Sequence, residues 1–293
     1  MTEMMRDQGF DPEKLRVKAT PEVTFEDAAY LGSAVGVMEE TAKLWVALAR
    51  YEALARQMPP LMHSVLLYGP PGTGKTYLCR AMIRHLLTSG EGFGVYWASS
   101  ADFISRYVGG GVQRVLHLFE VMKAHKQAVL FLDDADELLR NDEEHTTNRA
   151  AREVFLKELR ESRVLLVACS NYPWTLTKEF LDMTPVKILL DLPDQQARKD
   201  YVLAHTQGVL GADEATRAAL ADHLAAQMKD TPWRQLDFLV NDLMRAGFVK
   251  TIGQDPDSKT FIPLTREEAD EVLEKIHHVD QSDYLARIRL WNK

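Results

Sequence analysis

The sequence is short of cysteine: Cys79 and Cys169 are its two thiols in 293 residues. Each sits in an apolar stretch, so both read as buried free thiols, and a disulfide or metal site has little support. The nine histidines lack ligand spacing, and His277-His278, in a charged helical stretch, reads as a solvated face. No apolar run is long enough to span a bilayer, and the N-terminus has no signal-peptide pattern. The expectation is a soluble, cytoplasmic chain with no membrane partner. A basic excess is missing too: 35 Lys and Arg stand against 43 Asp and Glu, a net charge of −8. That balance argues against nucleic acid as a general partner. There is no internal repeat. What is present is 46% apolar content, enough for one large or two modest domains.

Residues 1–22 are polar and Met-rich, with Pro12 and Pro21, and read as a loose N-terminal arm. From Val23 to Arg56 the pattern is helical, with a turn at Leu31-Gly32-Ser33. Apolar runs at 64–68, 93–98, 128–132, 163–168 and 186–190 read as strands. Helical patterns at 77–83, 111–124 and 146–160 fall between them. Continuous apolar runs separated by helices predict a parallel sheet covered on both faces over residues 23–194. Beyond Leu192-Pro-Asp194 the strands stop. Segments 195–207, 213–228, 232–247 and 265–276 are helical in pattern, with turn residues at 253–257, so 195–293 reads as a small helical lid domain.

Between the first strand and the next helix stands Gly69-Pro-Pro-Gly-Thr-Gly-Lys-Thr76, a complete G-x-x-x-x-G-K-[ST] phosphate loop in the strand–turn–helix context it requires. The fold class is therefore α/β, a P-loop NTPase sheet with a C-terminal helical lid. Gly69, Pro70, Pro71, Gly72, Thr73, Gly74, Lys75, Thr76 and Tyr77 form the expected ATP-binding segment. Glycines let backbone N–H groups converge on the phosphates, and the helix N-terminus adds its positive end. Lys75 neutralises phosphate charge, and Thr76 offers its hydroxyl to Mg²⁺. The strand ending at Leu132 runs into Asp133-Asp134. Asp133 is placed to hold Mg²⁺ through water, and Asp134 to act as general base on the attacking water. Asn171, at the end of the next strand, is placed to orient that water. Arg234 opens a helix of the lid and is a candidate for the γ-phosphate; an ordinary surface arginine is the other reading.

These residues resemble the AAA family of ATPases from about Glu22 to the C-terminus. Pro21-Glu-Val-Thr-Phe-Glu-Asp-Ala28 is similar to the family's entry into its ATPase domain. Val65 to Thr76 resembles its Walker A segment, Leu130-Phe-Leu-Asp-Asp-Ala-Asp136 its Walker B segment, and Asn171 falls at sensor 1. The compact single-ring members fit best: katanin, spastin and the ATPase that dismantles ESCRT filaments. Asp283-Tyr-Leu-Ala-Arg-Ile-Arg-Leu-Trp291 resembles their closing helix. The resemblance implies a ring, expected to be a homo-hexamer, that threads a substrate protein through its pore. Phe103-Ile-Ser-Arg106-Tyr107-Val108-Gly109 aligns with the first pore loop, where Tyr107 and Val108 would grip the chain. A flat aromatic contacts any side chain without demanding a sequence. Glu143 to Asn148 matches the second pore loop by position. Arg234, at the sensor-2 position, resembles the AAA proteins that remodel HORMA-domain partners.

Two positions depart from the family pattern. Asp134 stands where Glu is usual, one methylene short, which puts the water about 1 Å out of place unless the backbone adjusts; such a shift costs on the order of a hundredfold in rate. The family's arginine fingers fall at Asp182 and Met183, which cannot stabilise transition-state charge. Loss of a finger removes about three orders of magnitude in such enzymes. Arg149 and Arg152, on the preceding helix, are candidate interface substitutes, and a partner protein is another source of the finger. Two alternatives to a threading remodeller therefore stay open. One is a weakly hydrolysing ATP-binding switch or accessory subunit. The other is a DNA-associated ATPase of clamp-loader or transposition type.

Overall fold

In the computed structural model, which describes residues 10–51, 53, 57, 64–105, 109–141, 146–276 and 281–292, the five apolar runs become five parallel strands. The chain order is α1 (Ser33–Arg50), β1 (Ser64–Tyr68), α2 (Lys75–Thr88), β2 (Gly94–Ser99), α3 (Ser100–Phe103), α4 (Gly110–Lys123), β3 (Ala128–Asp133), α5 (Ala135–Leu139), α6 (Thr146–Glu161), β4 (Leu165–Ser170), α7 (Lys178–Asp182) and β5 (Val186–Leu189). The sheet order is β2-β3-β4-β1-β5. Because β1 lies between β4 and β5 while the chain continues to β2 at the far edge, the loop leaving β1 opens at the turning point of the strand order. Such a point is where α/β sheets form a binding crevice.

Both faces of the sheet are covered, which is why β1 and β4 are buried at every position. On one face Met38, Ala42 and the fully buried Trp45 of α1 join Leu78 and Met82 of α2 against Val65, Leu67, Val129, Phe131 and Val167. The alternate positions Leu66, Leu130, Leu132 and Leu166 are buried as well. On that side α4 packs on α6, with Phe119 edge-on to Phe155 at 5.5 Å and Phe103 at 6.0 Å from the same ring. Each such ring contributes roughly 1.5–3 kcal/mol by burial.

Several boundaries differ from the sequence reading, each for a local reason. The helix read from Val23 begins at Ser33. Thr24 and Asp27 instead bond each other reciprocally, Thr24 N–H to Asp27 Oδ2 at 2.8 Å and Asp27 N–H to Thr24 Oγ1 at 3.1 Å, and such local bonds compete with helix. Gly32, at φ +66°, then starts the helix proper. Residues 10–17 are not a loose arm. Pro12–Lys14 forms a 3₁₀ turn capped by Asp11, and the chain then runs antiparallel to β2, with Trp97 N–H donating to Leu15 C=O at 2.8 Å and Val17 N–H to Val95 C=O at 2.9 Å. This covers an edge strand that would otherwise present unpaired backbone.

The chain divides into two compact units, residues 1–69 with 75–190, and residues 70–74 with 191–293. The second holds α8 (Gln195–His205), α9 (Glu214–Gln227), α10 (Trp233–Gln254), α11 (Arg266–Leu273) and α12 (Ser282–Trp291). Asp194 and Asp213 cap α8 and α9, each accepting a backbone N–H at 2.8 Å, and Thr265 with Glu268 closes a capping box on α11. Arg198 is buried and donates to Pro193 C=O at 2.6 Å and Ala225 C=O at 2.9 Å, tying α8 to α9. Helix α10 continues seven residues past the expected 247, to Gln254. No described helix is long and apolar enough to cross a membrane.

Candidate functional site

The loop after β1 is shaped by glycine. Gly69 has φ +150°, and a Cβ there would lie 2.0 Å from the Leu190 carbonyl oxygen, so no other residue passes between the ends of β4 and β5. Its N–H donates to Ser170 C=O at 3.3 Å. Gly72 and Gly74 follow at φ +82° and +94°, and Thr73 Oγ1 donates to Pro70 C=O at 2.8 Å. Lys75 opens α2 and is 7% exposed; its Nζ donates to Gly69 C=O at 2.8 Å. Burial pulls its ammonium pKa down to about 8, although Asp136, Asp133 and Asp134 nearby favour the charge. A buried cation that burial disfavours gains from an anion at this spot.

Thr76 Oγ1 donates to Asp133 Oδ2 at 3.3 Å. Asp133 ends β3, and burial, with Asp134 beside it, raises its pKa above the usual carboxylate value. A hydroxyl and a carboxylate, both hard oxygen donors, suit a magnesium ion that keeps most of its water. The donor set and the buried lysine therefore fit a metal-bound polyphosphate. Tyr77, next on α2, packs its ring 6.0 Å from that of Tyr30.

Asp134 takes a left-handed backbone, φ +49° and ψ +46°, as the residue before α5. Its carbonyl accepts from Ser100 Oγ at 2.6 Å, and its Oδ1 lies 3.3 Å from Asn171 Nδ2. The sequence places the two side chains at neighbouring strand ends; the left-handed corner is what brings the short aspartate to the asparagine. Asp136, the last residue of the Walker B-like segment, was given no role by sequence reasoning. It is 5% exposed, and its carboxylate accepts from Ser170 Oγ and from the N–H groups of Asn171 and Tyr172. It is one of four acids in Asp133-Asp134-Ala135-Asp136-Glu137, and nothing in that run marks which of them is buried.

In the second unit Arg234 N–H donates to Gly72 C=O at 3.2 Å, and a Cβ on Gly72 would meet Arg234 Cβ at 3.1 Å. The first turn of α10 thus lies against loop residue 72, with the Arg234 side chain exposed. Arg106, Tyr107 and Val108 of the expected pore loop lie outside the described residues, as do residues 143–145 of the second; Gly109 is described, at φ +79° before α4. Arg149 pairs with Glu153 at 2.8 Å, and Arg152 donates to the Arg140 carbonyl. Asp182 and Met183 close α7. Beside them, unforeseen from sequence, is Arg160, with Nη2 2.5 Å from Glu179 Oε1 and 3.8 Å from Met183 Sδ. Cys79 and Cys169 are buried free thiols that share a hydrogen bond, 3.5 Å apart at sulfur, and burial pushes the Cys79 thiol up, away from reactivity.

Comparison with known proteins bears on this geometry. Residues 65–192 match the model of the ATPase family associated with various cellular activities (AAA). The chain is 31% identical over 228 residues to the ATP-dependent zinc metalloprotease FtsH of Cutibacterium acnes, covering 73% of this chain and 30% of that protein. It is 28% identical over 196 residues to vacuolar protein sorting-associated protein 4A of Homo sapiens, covering 64% of this chain and 43% of that one. The chain thus spans less than half the length of these relatives. Among solved structures, the FIGL-1 AAA domain in complex with ADP aligns with a TM-score of 0.66 at 20% identity, over 92% of this chain and 90% of that one, a likeness of fold.

Proposed function

Residues 65–192 of this chain are an ATPase domain of the AAA family, and from that premise we propose that the chain binds and hydrolyses ATP to remodel protein substrates within a ring. The observation that carries the reading is one constellation at the strand ends: buried Lys75, the Thr76–Asp133 pair and the Asp134–Asn171 contact. In this reading the loop N–H groups and Lys75 Nζ hold the β- and γ-phosphates. Thr76 and Asp133 hold magnesium, which when bound offsets the charge of those phosphates. Asp134 takes the proton of the attacking water, and Asn171 fixes the water's direction. Arg234, anchored by its backbone to Gly72, supplies a further positive charge from the start of α10. Tyr107 and Val108 grip the substrate chain.

Completion of the site needs a cation that Asp182 and Met183 do not provide. Arg149, Arg152 and Arg160 are the chain's own candidates. Arg160 is favoured, since it is exposed and already occupies the place beside Met183. The test is ATP turnover against protein concentration, with Lys75→Ala as the blank. Turnover that rises more steeply than concentration supports sites shared between copies. ATP binding with no turnover at any concentration overturns self-sufficient hydrolysis and supports the second reading, a nucleotide-dependent switch whose finger comes from another protein. The missing arginines at 182 and 183 are the observation behind that second reading.

A further inference from the structure

We propose that Asp136 is a positioning residue for hydrolysis, acting through Asn171. The proposal rests on the reading above, in which Asp134 and Asn171 hold the attacking water. Asp136 is the second residue of α5 and is 5% exposed. Its Oδ1 accepts from Ser170 Oγ at 2.5 Å and from Tyr172 N–H at 3.1 Å, and its Oδ2 accepts from Asn171 N–H at 2.7 Å. Ser170 Oγ also accepts from Tyr172 N–H at 3.2 Å. Three consecutive residues at the exit of β4 are therefore wrapped around one buried carboxylate.

A carboxylate in that place is costly as a packing residue. Taking it out of water requires every lone-pair direction to be met by a donor, and an apolar side chain would fill the same space without that demand. What the carboxylate adds is direction. Asn171 is fixed at its own N–H, which sets where its side-chain amide goes: 3.3 Å from Asp134 Oδ1. The other side of that contact is fixed by the same short helix. Ser100 Oγ donates to Asp134 C=O at 2.6 Å and accepts from Leu138 N–H at 3.2 Å, which locks the left-handed corner to the first turn of α5. One helix therefore holds Asp134 by its backbone and Asn171 through Asp136. The separation of the two water-holding groups follows from its geometry.

The experiment is a double-mutant cycle on ATP turnover, with ATP affinity and thermal unfolding measured on the same full-chain samples. Asp136→Asn keeps the shape but turns an NH₂ toward a backbone N–H. It is expected to lower kcat by roughly tenfold to a hundredfold, the scale of a displaced catalytic group, while the Kd for ATP, read at about pH 7 where Lys75 stays protonated, moves far less. In an Asn171→Ala background the same substitution is expected to lower kcat no further, although its effect on Tm persists. An equal loss of kcat in both backgrounds would overturn the proposal, since Asp136 would then be structural. Unaltered kcat in Asp136→Asn would overturn it as well. Ser170→Ala, which deletes one of the three donors, carries the same cycle if Asp136→Asn does not fold. Asp134→Asn is the separate control: if it leaves turnover intact, the hydrolysis reading itself falls.

Discussion

Lys75 shows at the scale of one residue how burial turns into chemistry. Burial pulls its pKa down to about 8 through lost hydration, and phosphate oxygens around Nζ would restore the charged form. The sign follows. Below about pH 8 the ammonium is already protonated and ATP affinity is insensitive to this group. Above it, binding must take up a proton, and affinity is expected to fall, approaching about tenfold per pH unit. Calorimetry at about pH 9 in buffers of different ionisation enthalpy should show uptake nearing about one proton per ATP, and no uptake would contradict the assignment. Asp134 is the second such residue. A left-handed backbone costs a non-glycine residue about 1–2 kcal/mol, and strain of that kind persists where a site requires it. Asp134→Gly is therefore expected to leave Tm unchanged or higher while abolishing turnover; a clear fall in Tm would show that the aspartate side chain stabilises the fold. The phosphate loop, Asp133, Asp134 and Asn171 were legible because each is a particular residue type at a strand end. Asp136 was not, because nothing in a linear pattern says which acid three donors from residues 170–172, more than thirty positions away, will surround.

Elements tell a similar story one level up. Strands β1, β3 and β4 were readable as unbroken apolar runs, since burial on both faces removes the polar alternation. Capped helices α8, α9 and α11 begin where Asp194, Asp213 and Thr265 accept backbone N–H groups. Residues 10–17 were misread because polar composition suggests a loose arm, while their backbone bonds to β2 depend on an edge strand that no local pattern reveals. Those bonds give a prediction: a chain lacking residues 1–18 should lose hydrogen-exchange protection at the Trp97 amide, whose acceptor is Leu15 C=O, and should aggregate more readily through the bare edge. Retained protection at Trp97 would mean that the segment only decorates the sheet. Likewise Gly69→Ala should unfold or badly destabilise β1's exit, since its Cβ would meet backbone oxygen at 2.0 Å; a wild-type Tm would contradict that packing.

At the scale of the molecule the question is whether a site is completed by a second copy. Positions 182 and 183 carry no cation, and Arg160 lies beside them, exposed and paired with Glu179. If Arg160 serves a neighbour's nucleotide, Arg160→Ala and Lys75→Ala should each be inactive alone, and mixing them should restore part of the turnover. In the mixture one chain supplies an intact phosphate loop and the other an intact arginine. No recovery on mixing, with assembly verified by sedimentation, would place the finger elsewhere.

The sequence by itself determined the family, the strand–loop–helix around Lys75 and the residue types proposed to meet phosphate and magnesium, because those follow from local periodicity and a contiguous motif. The tertiary structure alone decided the left-handed corner at Asp134, the clasp of Asp136 on residues 170–172, the covering of β2 and the placement of Arg160 beside Met183. Each of these joins residues far apart in the chain, and their contacts depend on how the sheet orders its strands, a property that no single stretch of sequence carries.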